Sequence, residues 1–303
     1  MLDIAIIGGG PAGLTAGLYA ARGGASVTLF EELSCGGQAA KTERIDNFPG
    51  FPEGIDGFEV GAKLEQQAAR FGLQTDYTGV EAVTLTGEEK TLALSDGRTI
   101  SAKTVILCMG ATPRKLGLPS EERLTGAGVS YCATCDGAFF RNADVAVVGG
   151  GDTALADALY LSRLVSTVTV VHRRDALRAA KTLQQAAVAQ PNIHFAWDSV
   201  VTALHGDEKL TALTLSNVKT GETRELPVSG VFAAVGITPR TALVREALLL
   251  QEGEAIPTDE RMRTAIPGVF AAGDVRDTPL RQVVTACSDG AVAATSALSY
   301  LQA

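Results

Sequence analysis

The chain has 303 residues, with 34 acidic against 26 basic side chains and a formal net charge of −8. Hydrophobic residues make up 46% and charged residues 20%, which excludes global disorder and gives length enough for about two domains. The acidic balance argues against a nucleic-acid or membrane-surface partner, and no apolar run approaches the 18 or so residues of a membrane span. Residues Met1–Ile7 have no basic leader region and run straight into glycines, so a strand is expected there rather than a signal peptide. The cysteines, at 35, 108, 132, 135 and 287, are too few and scattered for a secreted disulfide framework. A cytoplasmic location is the expectation.

Ile4–Ile7 reads as a short strand, Gly8-Gly9-Gly10-Pro11-Ala12-Gly13 as a tight turn, Leu14–Arg22 as a helix, and Ser26–Phe30 as a second strand. The Gly- and Pro-containing stretch from Cys35 to Gly57 carries no period. Thr91–Leu94 and Arg98–Ile100 flank Asp96-Gly97, a hairpin signal, and the half closes on Gly110-Ala-Thr-Pro-Arg114. The pattern then repeats. Val145–Val148 leads into Gly149-Gly150-Gly151-Asp152-Thr153-Ala154, a helical period over Ala154–Leu164 and a strand at Thr167–Val171. A second hairpin, Leu210–Leu215 and Thr223–Leu226, precedes Gly236-Ile-Thr-Pro-Arg240. Beyond it, a strand at Val269–Ala272 and a helix near Arg281–Leu301 do not belong to the second repeat and are expected to return to the first domain. The reading is an α/β fold of two Rossmann-like dinucleotide-binding domains, the second inserted into the first. Residues 1–113 and 243–303 form one domain and residues 114–242 the other.

Each glycine run follows a strand and opens a helix, the context a phosphate cradle needs. In the first, Gly8, Gly10 and Gly13, with Pro11 and Ala12, allow the turn, close approach to a pyrophosphate and close helix packing. In the second, Gly149, Gly151 and Ala154 hold the same places, with Asp152 and Thr153 between. The end of the second strand separates them. Glu31 and Glu32 follow Phe30, and a carboxylate there bonds ribose hydroxyls and repels a 2′-phosphate. His172-Arg173-Arg174, with Arg178 a turn on, offers guanidiniums to such a phosphate. The first cradle is therefore assigned to FAD and the second to NADPH.

Cys132-Ala133-Thr134-Cys135 is either a redox dithiol or a pair of metal ligands. Zinc would need a second ligand pair, and histidines 172, 194 and 205 show no such spacing. No metal is expected. The redox reading is favoured.

With these residues placed, the chain resembles the low-molecular-weight NADPH-dependent thioredoxin reductases over nearly its whole length. The most specific words are Cys132-Ala-Thr-Cys-Asp-Gly137, His172-Arg-Arg-x-x-x-Arg178 and Gly268-Val-Phe-Ala-Ala-Gly-Asp274, with Gly36-Gly37-Gln38 and Asn47-Phe-Pro-Gly50 in support. The resemblance implies a homodimer with FAD in each subunit, NADPH as donor and thioredoxin or a thioredoxin-like protein as acceptor. It places Gly36, Gly37, Gln38, Asn47, Gly110, Gly273, Asp274, Arg281 and Gln282 along the flavin. It makes Cys132 the partner-attacking thiol, Cys135 the flavin-facing one and Asp136 the group that gives and takes the proton. A carboxylate beside a thiolate would raise the thiol pKa, so Asp136 suits acid–base work better than thiolate stabilisation. Cys108-Met109 and Cys35 depart from the family pattern. With Cys287 they read as small packed hydrophobes. A flavin-dependent dithiol oxidase, or a reductase of another thioredoxin-like protein, is the competing reading.

Overall fold

The computed structural model describes every residue except Glu43, Glu252 and Ala303. It divides into two units, Met1–Thr112 with Thr238–Ala303, and Pro113–Ile237.

Unit 1 opens with β1 (Leu2–Ile7), α1 (Pro11–Arg22) and β2 (Val27–Phe30). It continues through α2 (Gly57–Ala69), β3 (Gln74–Asp76), β4 (Val80–Thr84), β5 (Lys90–Leu94), β6 (Thr99–Leu107) and β7 (Ala111–Pro113). β1 lies between β2 and β6, parallel to both, with Ile4 opposite Val27 on one side and Thr104 on the other. A strand buried on both faces needs apolar residues at consecutive positions, and Ile4, Ala5, Ile6 and Ile7 supply them. Pro11 starts α1, where its fixed φ fits and its missing N–H costs no helix bond. Asp56 caps α2 by accepting the Glu59 N–H at 3.0 Å, worth about 1 kcal/mol.

Unit 2 contains α3 (Glu121–Leu124), β8 (Val129–Ser130), the one-turn α4 (Ala133–Asp136), β9 (Asp144–Val148), α5 (Asp152–Leu161), β10 (Thr167–Val171), α6 (Lys181–Val188) and β11 (Ile193–Ala196). β12 (Ser199–His205), β13 (Ala212–Asn217), β14 (Thr223–Pro227), β15 (Gly230–Ala233) and β16 (Ile237–Pro239) follow. Its parallel sheet runs β11-β10-β9-β15-β8, and β12-β13-β14 form a separate antiparallel sheet. β7 and β16, on the two crossovers, pair with each other. Residues after Ile237 already bond within unit 1: the Arg240 N–H donates to Gly110 O at 2.9 Å, and the Thr241 hydroxyl to Glu254 O at 3.2 Å.

The chain then completes unit 1 with β17 (Val269–Ala271) and α7 (Val283–Leu301). The first sheet runs β3-β2-β1-β6-β5-β4, and β17 pairs with the C-terminal half of β6. α7 lies tight on α1, for a Cβ at Gly290 would stand 2.2 Å from Ala12 O. Alternate residues of β1 feed two cores: Ile4 and Ile6 pack with α1 and α7, Ala5 and Ile7 with β5 and β17. The second sheet is likewise covered on both faces.

The α/β class, with two Rossmann-type units and one inserted in the other, is the fold observed. The repeat is fuller than the sequence reading, because β3 and β11 add a third parallel strand to each unit, on β2 and β10. The helix expected to run to Leu164 stops at Leu161, and the last helix begins at Val283 with Gln282 as its cap.

Candidate functional site

The first cradle is built on α1's N-terminus. Gly8 has φ +106°, and a Cβ there would lie 2.4 Å from Cys108 O; at Gly13 it would lie 1.9 Å from Gly8 O. These two glycines are required by packing. At Gly10, by contrast, a Cβ would meet nothing nearer than Gly37 at 3.9 Å, so its side of the turn is open. The Gly36-Gly37 loop is stacked on this turn through Gly36 N–H to Gly9 O at 2.8 Å. Glu31 reaches back to it as well, Oε2 accepting the Gly9 N–H at 2.8 Å and Oε1 those of Glu32 and Leu33 at 3.0 and 3.2 Å. Glu32 is exposed beside it, and Gln38 starts the short turn Ala39–Lys41.

Residues from the far end of the chain arrive at the same place. Gly273, at φ +76°, would set a Cβ 2.9 Å from that of Ala12. Asn47 Nδ2 donates to Gln282 Oε1 at 2.9 Å, joining the irregular loop to the cap of α7. Burial pushes the Asp274 carboxyl above the usual range; the Arg281 charge opposes this and Asp289 reinforces it. Arg281 Nε is buried with no hydrogen-bond partner among the described residues. A buried N–H without an acceptor is costly, so this one is suited to an acceptor brought by a cofactor. Gly110, at φ +69°, faces open space. Open space at Gly10 and an unpaired donor at Arg281 both fit a bound dinucleotide.

The second cradle repeats the plan with its own locks. Gly149 is crowded by Ala234 O and the Ala154 methyl at 2.6 and 2.7 Å, whereas a Cβ at Gly151 would touch nothing within 4 Å. The Asp152 carboxylate accepts the Ala180 N–H at 2.7 Å, and Thr153 is exposed in the first turn of α5. His172 is buried against the turn, where a Cβ at Gly150 would fall 2.2 Å from its ring, and its Nε2 meets Ala176 O at 3.1 Å. The imidazole is therefore occupied inside the unit. Burial lowers its pKa, and the charges of Arg174, Arg178 and Arg173 lower it further. All three arginines are exposed, and Arg178 N–H is tied to Gly150 O at 2.8 Å. Three exposed arginines thus follow the end of β10, on the unit that carries the open glycine.

Cys132 and Cys135 are joined as a disulfide across α4. Cys132 caps this turn: its Sγ accepts the Cys135 N–H at 3.2 Å and lies 3.4 Å from the Thr134 hydroxyl. Both contacts would favour a thiolate at Cys132 once the bond opens. Burial pushes the Asp136 carboxyl up, while the Ser130 hydroxyl donates to its Oδ2 at 2.6 Å and holds it back. α4 and the turn after it pack on α5, where a Cβ at Gly137 would meet Leu161 at 2.9 Å and Tyr160 at 3.2 Å. On α5, Asp157 has its carboxyl pushed up to about 7 by burial. The other cysteines line the first cradle. Cys35 and Cys108 are buried, and Cys287, only half-buried, points its Sγ at Pro11 O at 3.9 Å. Burial raises all three thiols, Cys35 to about 12, which leaves them poor nucleophiles.

The pyridine nucleotide-disulphide oxidoreductase family model matches residues 2–290. The chain belongs to that family. A protein named thioredoxin reductase from Streptomyces clavuligerus is 50% identical, over 99% of this chain and 94% of its own length. One of the same name from Streptomyces coelicolor is 48% identical over the same shares. Among solved structures, thioredoxin reductase from Streptococcus pyogenes has a TM-score of 0.92 at 46% identity, covering 100% of this chain and 98% of that one. The family implies a flavin and a pyridine nucleotide. Among the described residues no group of three or more His, Cys, Asp or Glu side chains could hold a metal, and no helix is long and apolar enough to cross a membrane.

Sequence reasoning passed over Ser130, Arg276 and Asp289. Asp289 is buried in α7 and binds Arg276 Nη1 at 3.1 Å and the Gly273 N–H at 3.2 Å, fixing the turn that presents Asp274. A lone carboxylate in an Ala-rich helix is a readable signal. Ser130 gives none beyond its nearness to the dithiol.

Proposed function

We propose that the chain is a thioredoxin-disulfide reductase that passes electrons from NADPH through FAD and Cys132–Cys135 to oxidised thioredoxin. The observation that carries this reading is a disulfide with a half-buried carboxyl next to it in chain order, on the same unit as a glycine cradle whose second strand is followed by Arg173, Arg174 and Arg178. Unit 1 is the FAD-binding domain, held by the turn Gly8–Gly13, Glu31, Glu32, the Gly36–Gln38 loop, Asn47, Gly110, Gly273, Asp274, Arg281 and Gln282. Unit 2 is the NADPH-binding domain, through Gly149–Ala154 and the arginines, with His172 shaping the turn from below. The working form is a cytoplasmic homodimer.

Overall, NADPH, a proton and thioredoxin disulfide give NADP⁺ and thioredoxin dithiol. Bound FAD supplies the two-electron relay between nicotinamide and disulfide. Reduction breaks the Cys132–Cys135 bond. The Cys132 thiolate, favoured by the Cys135 N–H, attacks one sulfur of the partner disulfide, forms a mixed disulfide and expels the partner's other sulfur as a thiolate. Cys135 then attacks Cys132 Sγ, restores the internal disulfide and releases the second partner thiol. Asp136 takes the proton that leaves a thiol and returns one to the leaving sulfur. The dithiol and the nucleotide cradle share one unit.

The test is anaerobic NADPH oxidation by the flavin-loaded protein with a purified bacterial thioredoxin disulfide. One thioredoxin dithiol formed per NADPH consumed is expected. Oxidation that needs oxygen and is indifferent to thioredoxin would overturn the reading in favour of a dithiol oxidase.

A further inference from the structure

Ser130 closes β8, which pairs parallel to β15 with Ser130 opposite Phe232. The serine is 4% exposed and Phe232 1%, so the hydroxyl is anchored by the sheet and not by the mobile end of a side chain. Its oxygen makes two close bonds, beside a longer 3.4 Å approach to Cys132 O. It donates to Asp136 Oδ2 at 2.6 Å and accepts the Cys132 peptide N–H at 3.1 Å. One atom therefore ties the carboxyl to the backbone of the cysteine at the head of the dithiol turn.

We propose that Ser130 is a positioning residue for the dithiol chemistry, fixing the Asp136 carboxyl relative to Cys132 so that proton exchange stays aligned while the S–S bond opens and re-forms. The proposal rests on the acid–base role given to Asp136 above. A turn-capping serine would account for the bond to the Cys132 N–H. It would not account for the second bond, whose length is that of a hydroxyl donating to a carboxylate.

The hydroxyl also sets the proton affinity of its partner. Burial favours the neutral Asp136 acid, and the Ser130 bond favours the carboxylate. The surrounding elements carry Asp157 and Tyr160 on α5, Tyr131 beside β8 with Glu121 bonded to it, and Arg141 after the Gly137–Phe140 turn. None of these charges moves the Asp136 carboxyl; burial and Ser130 do. Loss of the hydroxyl must then raise the pKa of Asp136, and whichever limb of a pH–rate profile reports that group moves to higher pH.

The experiment compares Ser130→Ala, Ser130→Thr, Asp136→Asn and the Ser130→Ala/Asp136→Asn double variant as flavin-loaded proteins. It records kcat against pH with a purified bacterial thioredoxin disulfide, and flavin bleaching by NADPH in a stopped-flow instrument. Ser130→Ala is expected to shift the limb upward by about one pH unit and to lower kcat at neutral pH about tenfold. Flavin bleaching should be unchanged, which also reports a folded, loaded protein. Ser130→Thr keeps the hydroxyl and should keep the wild-type profile. The double variant should be no slower than Asp136→Asn alone, because the serine acts through the carboxyl. An unshifted limb in Ser130→Ala, or losses that multiply in the double variant, would overturn the role of Ser130 while leaving that of Asp136 standing. A wild-type profile in Asp136→Asn would remove both.

Discussion

Gly151→Ala separates the two duties of cradle glycines. Gly151 caps α5 at φ −99° and ψ −175°, a conformation alanine adopts freely, and a Cβ there would touch nothing within 4 Å. Two small effects on stability oppose each other. Alanine restricts the unfolded chain, a gain of about 0.4–1 kcal/mol. It is a poorer helix cap than glycine, a loss of about 0.5–1 kcal/mol. The net change in unfolding free energy should stay within about 0.5 kcal/mol, the scatter of neutral substitutions. The methyl fills the space through which a pyrophosphate would approach, so NADP⁺ should bind at least about tenfold more weakly, or about 1.4 kcal/mol. Gly13→Ala is the contrast. Its Cβ would stand 1.9 Å from Gly8 O, so backbone must move, at about 3 kcal/mol or more. Thermal unfolding of the flavin-loaded proteins and calorimetric titration with NADP⁺ read the two quantities separately. A Gly151→Ala protein that binds NADP⁺ within twofold of wild type, or that loses as much stability as Gly13→Ala, would refute the reasoning.

Replacing Arg173 and Arg174 by alanine should raise the KM for NADPH by about tenfold or more, since a charge-assisted bond is worth about 1.5–3 kcal/mol; NADH turnover should stay nearly level, and equal losses would count against a 2′-phosphate site. Asp157→Asn should stabilise the protein at alkaline pH. The folded-state pKa near 7 lies above the unfolded value, so the half-buried carboxyl binds its proton more tightly in the fold, and stability falls as pH rises from about 4 to about 7. Chemical denaturation should show a gain of about 2 kcal/mol at pH 8 and none at pH 4, allowing for relaxation around the charge; a pH-independent difference would contradict burial as the cause. Cys132→Ser and Cys135→Ser should each abolish thioredoxin reduction yet leave flavin bleaching by NADPH intact. Single serine variants of Cys35, Cys108 and Cys287 should retain turnover, and loss of disulfide reduction alone in any of them would displace the redox pair.

The glycine turns, their strands and the dithiol were legible because each is a local word with a local physical cause. Pro11 and the small residues of α1 announce a helix set close on a sheet. β3 left no such mark: Gln74-Thr75-Asp76 is short and polar, and it is a strand because β2 offers it an edge. α2 follows a stretch whose glycines and prolines hide its start, and only the Asp56 cap marks it. The place of His172 after β10 was legible, but not the packing of its ring. Its neighbours are the arginines expected there, whereas its own ring serves as a buried prop under Gly150. Ser130 could not be read at all, because no spacing or residue pattern signals its bonds to the Asp136 carboxyl and the Cys132 N–H.

The return of the chain to unit 1 has a consequence for biosynthesis. Cys287 meets Pro11 across 276 positions of sequence, and Gly290 beds on Ala12 beside it. The inserted unit, Pro113–Ile237, is one uninterrupted stretch. It can therefore reach its native form on the ribosome while β1, α1 and β2 still wait for the last helix. The first cradle is complete only once α7 has been made. On the proposed assignment of FAD to this cradle, flavin loading waits for α7. A truncation in α7 should accumulate protein whose Pro113–Ile237 unit is folded and whose first cradle is incomplete and open to proteases.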